Sequence, residues 1–353
     1  RQMCIRDSSS SSQVSIIEGA MGMFDGFDSM KGSAADIARK LNVPVILLIN
    51  AASTSFSVAA TIYGFTRFCP DVKVAGVIFN RVASCNHFAF LEDACKATGI
   101  ACFGYIGKND GLRTPSRHLG LSLESLVEIE KFVETAAFET ENTVDIDRLL
   151  DATMVSVRKI ELEDIHKSDL TVAVARDEAF NFIYPVNLDA FHADIVYFSP
   201  LHDRMLPKAD LIYLPGGYPE LLASELEENW EMRQAIKEYA EAGGKVLAEC
   251  GGMIYLTEEI DGKKMCGIFP VKTSMENAHL KLGYRKIVLD GFEISGHEFH
   301  YSDVKDNIGL PSIARQYNIR GKEVSTPVYR FKNVIAGYSH LYWGETDILN
   351  LWR

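Results

Sequence analysis

Short runs of β-branched and apolar residues alternate with helix-like segments along most of this chain, and this alternation is what most constrains its fold. The first series comprises strand-like runs at residues 14–19, 43–50 and 72–80 and helical patterns at 33–41, 54–68 and 88–98. Such alternation predicts βαβ units around a parallel sheet. Ser33, followed three residues later by Asp36, is a capping-box pattern that predicts the start of the first helix.

A second series of strands and helices begins after an increasingly charged, helical stretch at residues 123–150. Its runs include LTVAVA at 170–175, DIVYFSP at 194–200, ADLIYLPGG at 209–217, an amphipathic helix at 219–242, GKVLAECGG at 244–252 and NVIAGYSH at 333–340. The pattern therefore predicts two α/β domains, at residues 14–150 and 169–353, joined by a linker at 151–168. Residues 1–13, with a run of serines, are expected to be a non-native or disordered start.

Composition excludes several classes of partner. The 353 residues carry a formal net charge of −12 without a Lys/Arg cluster, which argues against nucleic-acid binding. Seven cysteines without a C-x-x-C pair fit neither a disulfide framework nor a zinc site. The sequence has no apolar run long enough to cross a membrane. A cytoplasmic protein with no nucleic-acid or membrane partner is expected.

Cys250 stands where a strand pattern gives way to a helix pattern, in LAECGGMIYL. Ala248 and Gly252 lie two residues to either side of it. A nucleophile elbow requires small residues at these positions because the backbone folds back sharply there. A helix beginning at Gly251 would lower the pKa of the thiol. The alternative is an unreactive, buried cysteine that packs as a small apolar residue.

A nucleophilic thiol requires an oxyanion hole and a base. Gly216 and Gly217 end the strand-like run ADLIYL, so their amides, with that of Gly251, are candidates for the hole. His340 follows the last strand-like run and is the candidate base, although a lone histidine is more often a surface or packed core residue.

Acidic and amide side chains mark a second candidate site in the first domain. Glu18 follows the predicted strand at 14–17 and is a candidate Mg²⁺ ligand, with Asp25 a second carboxylate in the same loop. Asn80 and Arg81 end another predicted strand and are candidate nucleotide contacts. A solvated acidic turn and a turn-forming asparagine are the alternatives. No G-x-x-x-x-G-K-S/T phosphate loop is present, so a truncated front is expected.

The segment SGHEFHYS at 295–302 contains His297, Glu298 and His300 and superficially suggests zinc. Its H-E-x-H spacing differs from the helical H-E-x-x-H motif. In a strand, residues 297 and 300 point to opposite faces, so a polar strand facing a cleft is predicted instead.

Together these segments resemble the cobyrinic acid a,c-diamide synthase family, from about residue 14 to 343. The segments that carry the resemblance are EGAMGMFDGFD, VAGVIFNRV, SRHLGL, VAVARDEAFNFIYPVNLDAF, IVYFSPLHD, LPGGYPEL, AECGGMIYL, LGYRKI and GHEFHYS. The resemblance implies a truncated P-loop domain, similar to dethiobiotin synthetase, followed by a class I glutamine amidotransferase-like α/β domain. It implies ATP and Mg²⁺, glutamine, and a corrinoid or other tetrapyrrole carboxylate as substrate, and it is compatible with a homodimer. Cys250 would be the glutaminase nucleophile and His340 its base.

Two departures from the pattern leave alternatives open. Many related glutaminases carry Glu two residues after the histidine, where this chain has Tyr342. Without a phosphate loop the chain is expected to hydrolyse glutamine but not to complete amidation, unless a partner chain supplies the loop. The remaining alternatives are amidation of hydrogenobyrinate or nickel-sirohydrochlorin, or a non-catalytic glutaminase-like binding protein.

Overall fold

The computed structural model describes residues 12–19, 21–113, 116–117, 120–121, 126–156, 168–305, 309–344 and 346–352. These residues fall into two compact units, one within residues 9–160 and one within 161–353. The domain and linker boundaries derived from the sequence stay predictions. Residues 1–11 of the expected non-native start lie outside the described residues.

Helices flank a small parallel sheet in the N-terminal unit. Its elements are α1 (Ala34–Leu41), β1 (Val45–Asn50), α2 (Val58–Arg67), β2 (Val74–Val82), α3 (Cys85–Thr98), β3 (Ala101–Gly107), β4 (Ser116–Arg117), β5 (Gly120–Leu121), α4 (Leu126–Thr143) and α5 (Ile146–Thr153). Strands β1, β2 and β3 pair in parallel in that order. Val77 and Phe79 of β2 pack against Ile62 of α2 and Leu91 of α3 in a fully buried core. The predicted βαβ organisation is confirmed.

Helix α1 begins where the capping pattern predicts. The Ser33 hydroxyl accepts the Asp36 N–H at 3.1 Å, as an N-cap should. The Asp36 carboxylate accepts the N–H of Gly32 rather than that of Ser33, at 2.9 Å. The reason is that the Ser33 N–H is already bonded to the Met30 carbonyl at 3.0 Å.

The prediction of a strand immediately before Glu18 is wrong. Residues 15–19 have no regular secondary structure, and Ile16 is 93% exposed. An extended segment becomes a strand only when a neighbouring strand accepts and donates its backbone hydrogen bonds. Within the described residues, the three-stranded sheet does not include it. Glu18 therefore follows an exposed, irregular segment and not a buried strand.

The C-terminal unit is larger and contains more strands. Its elements are β6 (Thr171–Ala175), α6 (Pro185–Asp189), β7 (Asp194–Phe198), β8 (Leu211–Leu214), α7 (Ala223–Glu228), α8 (Trp230–Glu241), β9 (Lys245–Glu249), α9 (Gly251–Leu256), β10 (Thr257–Ile260), β11 (Lys263–Lys264), β12 (Phe269–Ser274), β13 (Lys281–Leu289), β14 (Phe292–His300), β15 (Asp303–Lys305), β16 (Ala314–Tyr317), β17 (Glu323–Val324), β18 (Val328–Phe331), β19 (Val334–Gly337) and β20 (His340–Leu341).

A six-stranded sheet of order β18-β19-β9-β8-β6-β7 forms the centre of this unit. All its neighbours are parallel except the β18–β19 hairpin. Every residue of β8 is buried, as expected for a parallel strand covered on both faces. The carboxyl ends of β6, β8, β9 and β19 therefore lie along one edge, where ligands of parallel sheets usually bind.

Two smaller sheets were not distinguished by the sequence pattern. One has the order β17-β16-β13-β14-β20, and the other has the order β11-β10-β12-β15. The helix predicted at 219–242 is broken at Asn229, which ends α7 and caps α8. Within the described parts of the chain, no helix is both long and apolar enough to cross a membrane.

Candidate active site

Cys250 occupies the sharp turn between β9 and α9. Its backbone has φ +50°, a left-handed conformation that is uncommon for a residue with a side chain. The turn requires a glycine two residues later, because a Cβ on Gly252 would lie 2.1 Å from the Leu214 carbonyl oxygen. The structure thus places Cys250 on the predicted strand-to-helix turn, and its nucleophilic role stays a prediction.

His340 and Cys250 meet over Gly216. A Cβ built on Gly216 would lie 2.3 Å from Cε1 of His340 and 3.4 Å from Cβ of Cys250. Gly216 follows β8, the neighbour of β9 in the central sheet. His340 lies three residues beyond β19, in the short strand β20, and not at the end of the last strand of the parallel sheet. Three separate segments therefore converge at one point of the sheet edge.

Aromatic rings enclose the imidazole of His340. His297 of β14 is its cross-strand partner and stacks on it with centroids 4.9 Å apart, while Phe182 contacts it at 4.6 Å. Burial, reinforced by the neighbouring His297 and His300, lowers the pKa of His340 to about 3. A neutral imidazole at physiological pH is the form that can accept a proton.

The expectation of a lowered pKa for the thiol is wrong, although the amide that begins the helix acts in the expected direction. Burial raises the pKa of Cys250 to about 12, and the charges of Glu220, Glu249 and Glu298 add to this effect. The Gly251 amide hydrogen-bonds the sulfur and acts in the opposite direction. One amide of a helix of six residues does not offset removal from water. The resting site therefore holds a neutral thiol beside a neutral imidazole.

The three glycines proposed for an oxyanion hole lie together. The Gly217 nitrogen is 3.0 Å from the position that a Cβ on Gly251 would take. Gly217 itself packs against the chain after β6, because a Cβ there would lie 2.0 Å from the Ala179 carbonyl oxygen. The Gly216 carbonyl accepts the Phe182 N–H at 3.0 Å. These contacts explain the glycines, and the oxyanion role of Gly216, Gly217 and Gly251 stays a prediction.

Two buried polar residues next to the site were missed from the sequence. Glu249 accepts the Tyr213 hydroxyl at 2.9 Å and the Leu341 N–H at 3.3 Å, and burial raises its pKa to about 8. Asn187 donates to the Leu341 carbonyl at 2.8 Å and accepts the Trp343 N–H at 3.2 Å. A carboxylate inside an apolar strand was a usable signal for Glu249. The sequence around Asn187 gave none.

The candidate nucleotide residues lie on the N-terminal unit. Asn80 and Arg81 are near the end of β2, where a bulge leaves Arg81 with φ +61° and the Asn80 side chain accepts the Arg81 N–H at 2.8 Å. Glu18 and Asp25 are exposed carboxylates of one loop. Oxygen donors of this kind suit Mg²⁺, which binds through one or two carboxylates together with phosphate. The donor chemistry fits the ion, and the four roles stay predictions.

The SGHEFHYS segment lies partly in β14, so His297 and His300 point to opposite faces as predicted. Among the residues that the structure describes, no group of three or more His, Cys, Asp or Glu side chains is arranged to hold a metal ion.

A cysteine on a strand-to-helix turn beside a histidine, at the carboxyl edge of a parallel sheet, is the arrangement expected of a class I glutamine amidotransferase. The family model of the CobB/CobQ-like glutamine amidotransferase domain matches residues 171–348, and that of an AAA domain matches residues 3–116. The chain belongs to the cobyrinate a,c-diamide synthase family.

Relatives from several bacteria establish this membership. The chain is 35% identical to the cobyrinate a,c-diamide synthase of Salmonella typhimurium, over 96% of this chain and 80% of that protein. It is 40% identical to that of Listeria innocua, over 83% and 70%. It is also 35% identical to the hydrogenobyrinate a,c-diamide synthase of Pseudomonas aeruginosa, over 93% and 75%.

Proposed function

We propose that this protein, once a phosphate loop is supplied to its N-terminal unit, amidates the a- and c-side-chain carboxylates of cobyrinate, using ATP and the amide nitrogen of glutamine. The observation that carries the proposal is the convergence of Cys250 and His340 over Gly216. The names of the relatives support amidation of a corrinoid and do not favour a non-catalytic binding protein.

The glutaminase half-reaction uses residues of the C-terminal unit. His340 takes the proton of Cys250, and the sulfur attacks the side-chain carbonyl carbon of glutamine. The amides at Gly217 and Gly251 hold the negative oxygen. The C–N bond breaks as the imidazolium returns the proton to nitrogen, which leaves a thioester and ammonia. Water, deprotonated by His340, then attacks the thioester, and glutamate leaves as the thiol regains its proton.

The synthetase half-reaction is assigned to the N-terminal unit. A carboxylate oxygen of the macrocycle attacks the γ-phosphorus of ATP, so ADP leaves and an acyl phosphate forms. Ammonia then attacks the acyl carbon, phosphate leaves, and the nitrogen loses a proton to give the carboxamide. Asn80 and Arg81 contact the nucleotide, Glu18 is the residue that would hold Mg²⁺, and Asp25 is a second carboxylate on the substrate or metal side. When bound, this ion offsets the charge of the phosphates.

Glutamate release by the purified chain tests the glutaminase half without ATP. The wild type should convert glutamine to glutamate, and a glutamine-analogue diazo ketone should label Cys250. Cys250→Ala and His340→Ala should each lose release, whereas Cys85→Ser, at an exposed cysteine of the other unit, should retain it. No release by a folded wild type, or undiminished release by Cys250→Ala, would contradict the assignment.

The remaining expectations concern the macrocycle and the state of the protein. Cobyrinate should be amidated in preference to hydrogenobyrinate and nickel-sirohydrochlorin, which competition among the three with mass detection would test. The homodimer and the cytoplasmic location expected from the sequence are checked by sedimentation and by cell fractionation.

A further inference from the structure

The segment that carries His340 is short and has little regular structure of its own. Strand β20 contains two residues, and the position two residues after the histidine is Tyr342 rather than a carboxylate. A general base must nevertheless be held within a fraction of an ångström of its working position. Other groups must therefore fix this segment.

Asn187 of α6 spans the segment from one side. Its side-chain amide donates to the Leu341 carbonyl at 2.8 Å, and its side-chain oxygen accepts the Trp343 N–H at 3.2 Å. Asn187 is 1% exposed, so these bonds do not compete with water. One side chain thus fixes two backbone groups within three residues of His340.

Glu249, at the end of β9, hydrogen-bonds Leu341 from the side of the central sheet. One carboxyl oxygen accepts the Leu341 N–H at 3.3 Å, and the other accepts the Tyr213 hydroxyl at 2.9 Å. Glu249 directly precedes Cys250 in the chain. The nucleophile and the residue after the base are therefore linked through a single buried side chain.

Backbone pairing and packing complete the attachment. The Tyr342 N–H donates to the Ser295 carbonyl at 2.8 Å, and Trp343 packs in the core against Phe191 and Tyr213 with ring centroids 4.7 and 5.0 Å away. A Cβ on Gly296 would lie 2.5 Å from the His340 carbonyl oxygen, so β14 approaches this segment closely. Among these contacts, Asn187 and Glu249 are the residues whose polar side chains hydrogen-bond the segment that carries His340.

We propose that Asn187 and Glu249 are positioning residues that hold both backbone groups of Leu341 and thereby keep His340 over Gly216 beside Cys250. They perform by way of the backbone what a carboxylate bonded to the imidazole performs in related glutaminases. The inference rests on the proposed glutaminase activity.

Asn229 supplies a matched control for a purely structural role. It is likewise buried, donates to the Pro200 and Asp203 carbonyls at 2.8 Å, and accepts the Met232 N–H at 3.5 Å. It holds backbone at the start of α8, and its bonds involve none of the site residues. Asn187→Ala and Asn229→Ala therefore remove the same kind of bonds from different places.

Glutamine hydrolysis and Cys250 labelling are measured on the full chain for both variants. For Asn187→Ala we expect kcat to fall about 10- to 100-fold, with KM for glutamine within about twofold of the wild type, because the base is displaced while the glutamine site remains. Labelling should slow in parallel. Asn229→Ala should lower the melting temperature and leave kcat unchanged.

Glu249 gives a second comparison that does not depend on the folding of Asn187→Ala. In Glu249→Gln the amide oxygen still accepts the Leu341 N–H, so kcat should be retained, whereas Glu249→Ala should lose it. Equal kcat values for Asn187→Ala and Asn229→Ala, or wild-type kcat in Glu249→Ala, would overturn this inference and leave the proposed function intact. A wild type without glutaminase activity would overturn the proposed function and this inference with it.

Discussion

The ring of His297 stacks on that of His340, with centroids 4.9 Å apart and planes inclined by 18°. Two imidazolium ions would repel each other in this arrangement, so the contact favours the neutral form of His340, the proposed base. His297 thus lowers the proton affinity of His340.

Replacing His297 should therefore move the acid limb of the glutaminase pH profile. Activity requires neutral His340 and falls as the pH drops through its pKa. In His297→Phe one source of repulsion is lost, so the pKa of His340 rises and the limb moves to higher pH by up to about one unit. Burial, the larger cause, is unchanged. The exposed His279→Asn is the control, and an unshifted limb in His297→Phe would count against the stacking effect.

Gly216→Ala should abolish glutaminase activity. The added methyl would lie 2.3 Å from Cε1 of His340, so the imidazole must move away from Cys250. We expect a loss of about 100-fold or more in kcat, because a displacement of about 1 Å already has that effect. Gly64→Ala, in α2 with no atom within 4 Å of the new methyl, should keep full activity. Unimpaired turnover in Gly216→Ala would refute the convergence.

Alkylation of Cys250 by iodoacetamide, without glutamine, should report the raised pKa of the thiol. The thiolate is the reactive form, so with a pKa of about 12 the rate should rise about tenfold for each pH unit between about pH 7 and 10. Mass spectrometry of the peptide containing Cys250 follows the reaction, with Cys250→Ser as the blank. A rate that levels off below pH 9 would indicate a thiol with an ordinary pKa.

Glu249→Gln should change how stability depends on pH. Burial raises the pKa of Glu249 from 4.5 to about 8, so the folded state retains a proton that the unfolded state releases. Its contribution is fully present below pH 4.5 and is lost as the pH rises toward 8, by about 1.4 kcal/mol per unit. The melting temperature of Glu249→Gln relative to the wild type should therefore increase between pH 5 and 8. A constant difference would contradict the buried, protonated state.

The sequence predicted those parts of the molecule that local patterning determines. Each of these features depends on residues that are close together in the sequence. They are the βαβ series, the capped start of α1 and the turn at Cys250. The prediction of a strand before Glu18 was wrong because a strand requires a neighbouring strand to pair with, and apolar composition does not reveal that neighbour. The predicted direction of the pKa shift of Cys250 was wrong because burial has a larger effect on the thiol than the adjacent helix has.

The contacts that hold the segment carrying His340 could not be predicted from the sequence for a related reason. Asn187 bonds to a residue 154 positions away, and nothing in the sequence around it indicates that contact. Strands β13 and β14 form a local hairpin across Asp290 and Gly291, a turn signal that the sequence analysis did not use, whereas the pairing of β14 with β20, which brings His297 to His340, is long-range. A strand carboxylate such as Glu249 is the exception, because an isolated charge in an apolar run must find a partner.

The protonated state of Cys250 also bears on chemical durability. Peroxides and other oxidants attack thiolates far faster than thiols, and exposed thiolates fastest. At physiological pH the buried and protonated sulfur of Cys250 is thus a poor target for oxidative damage.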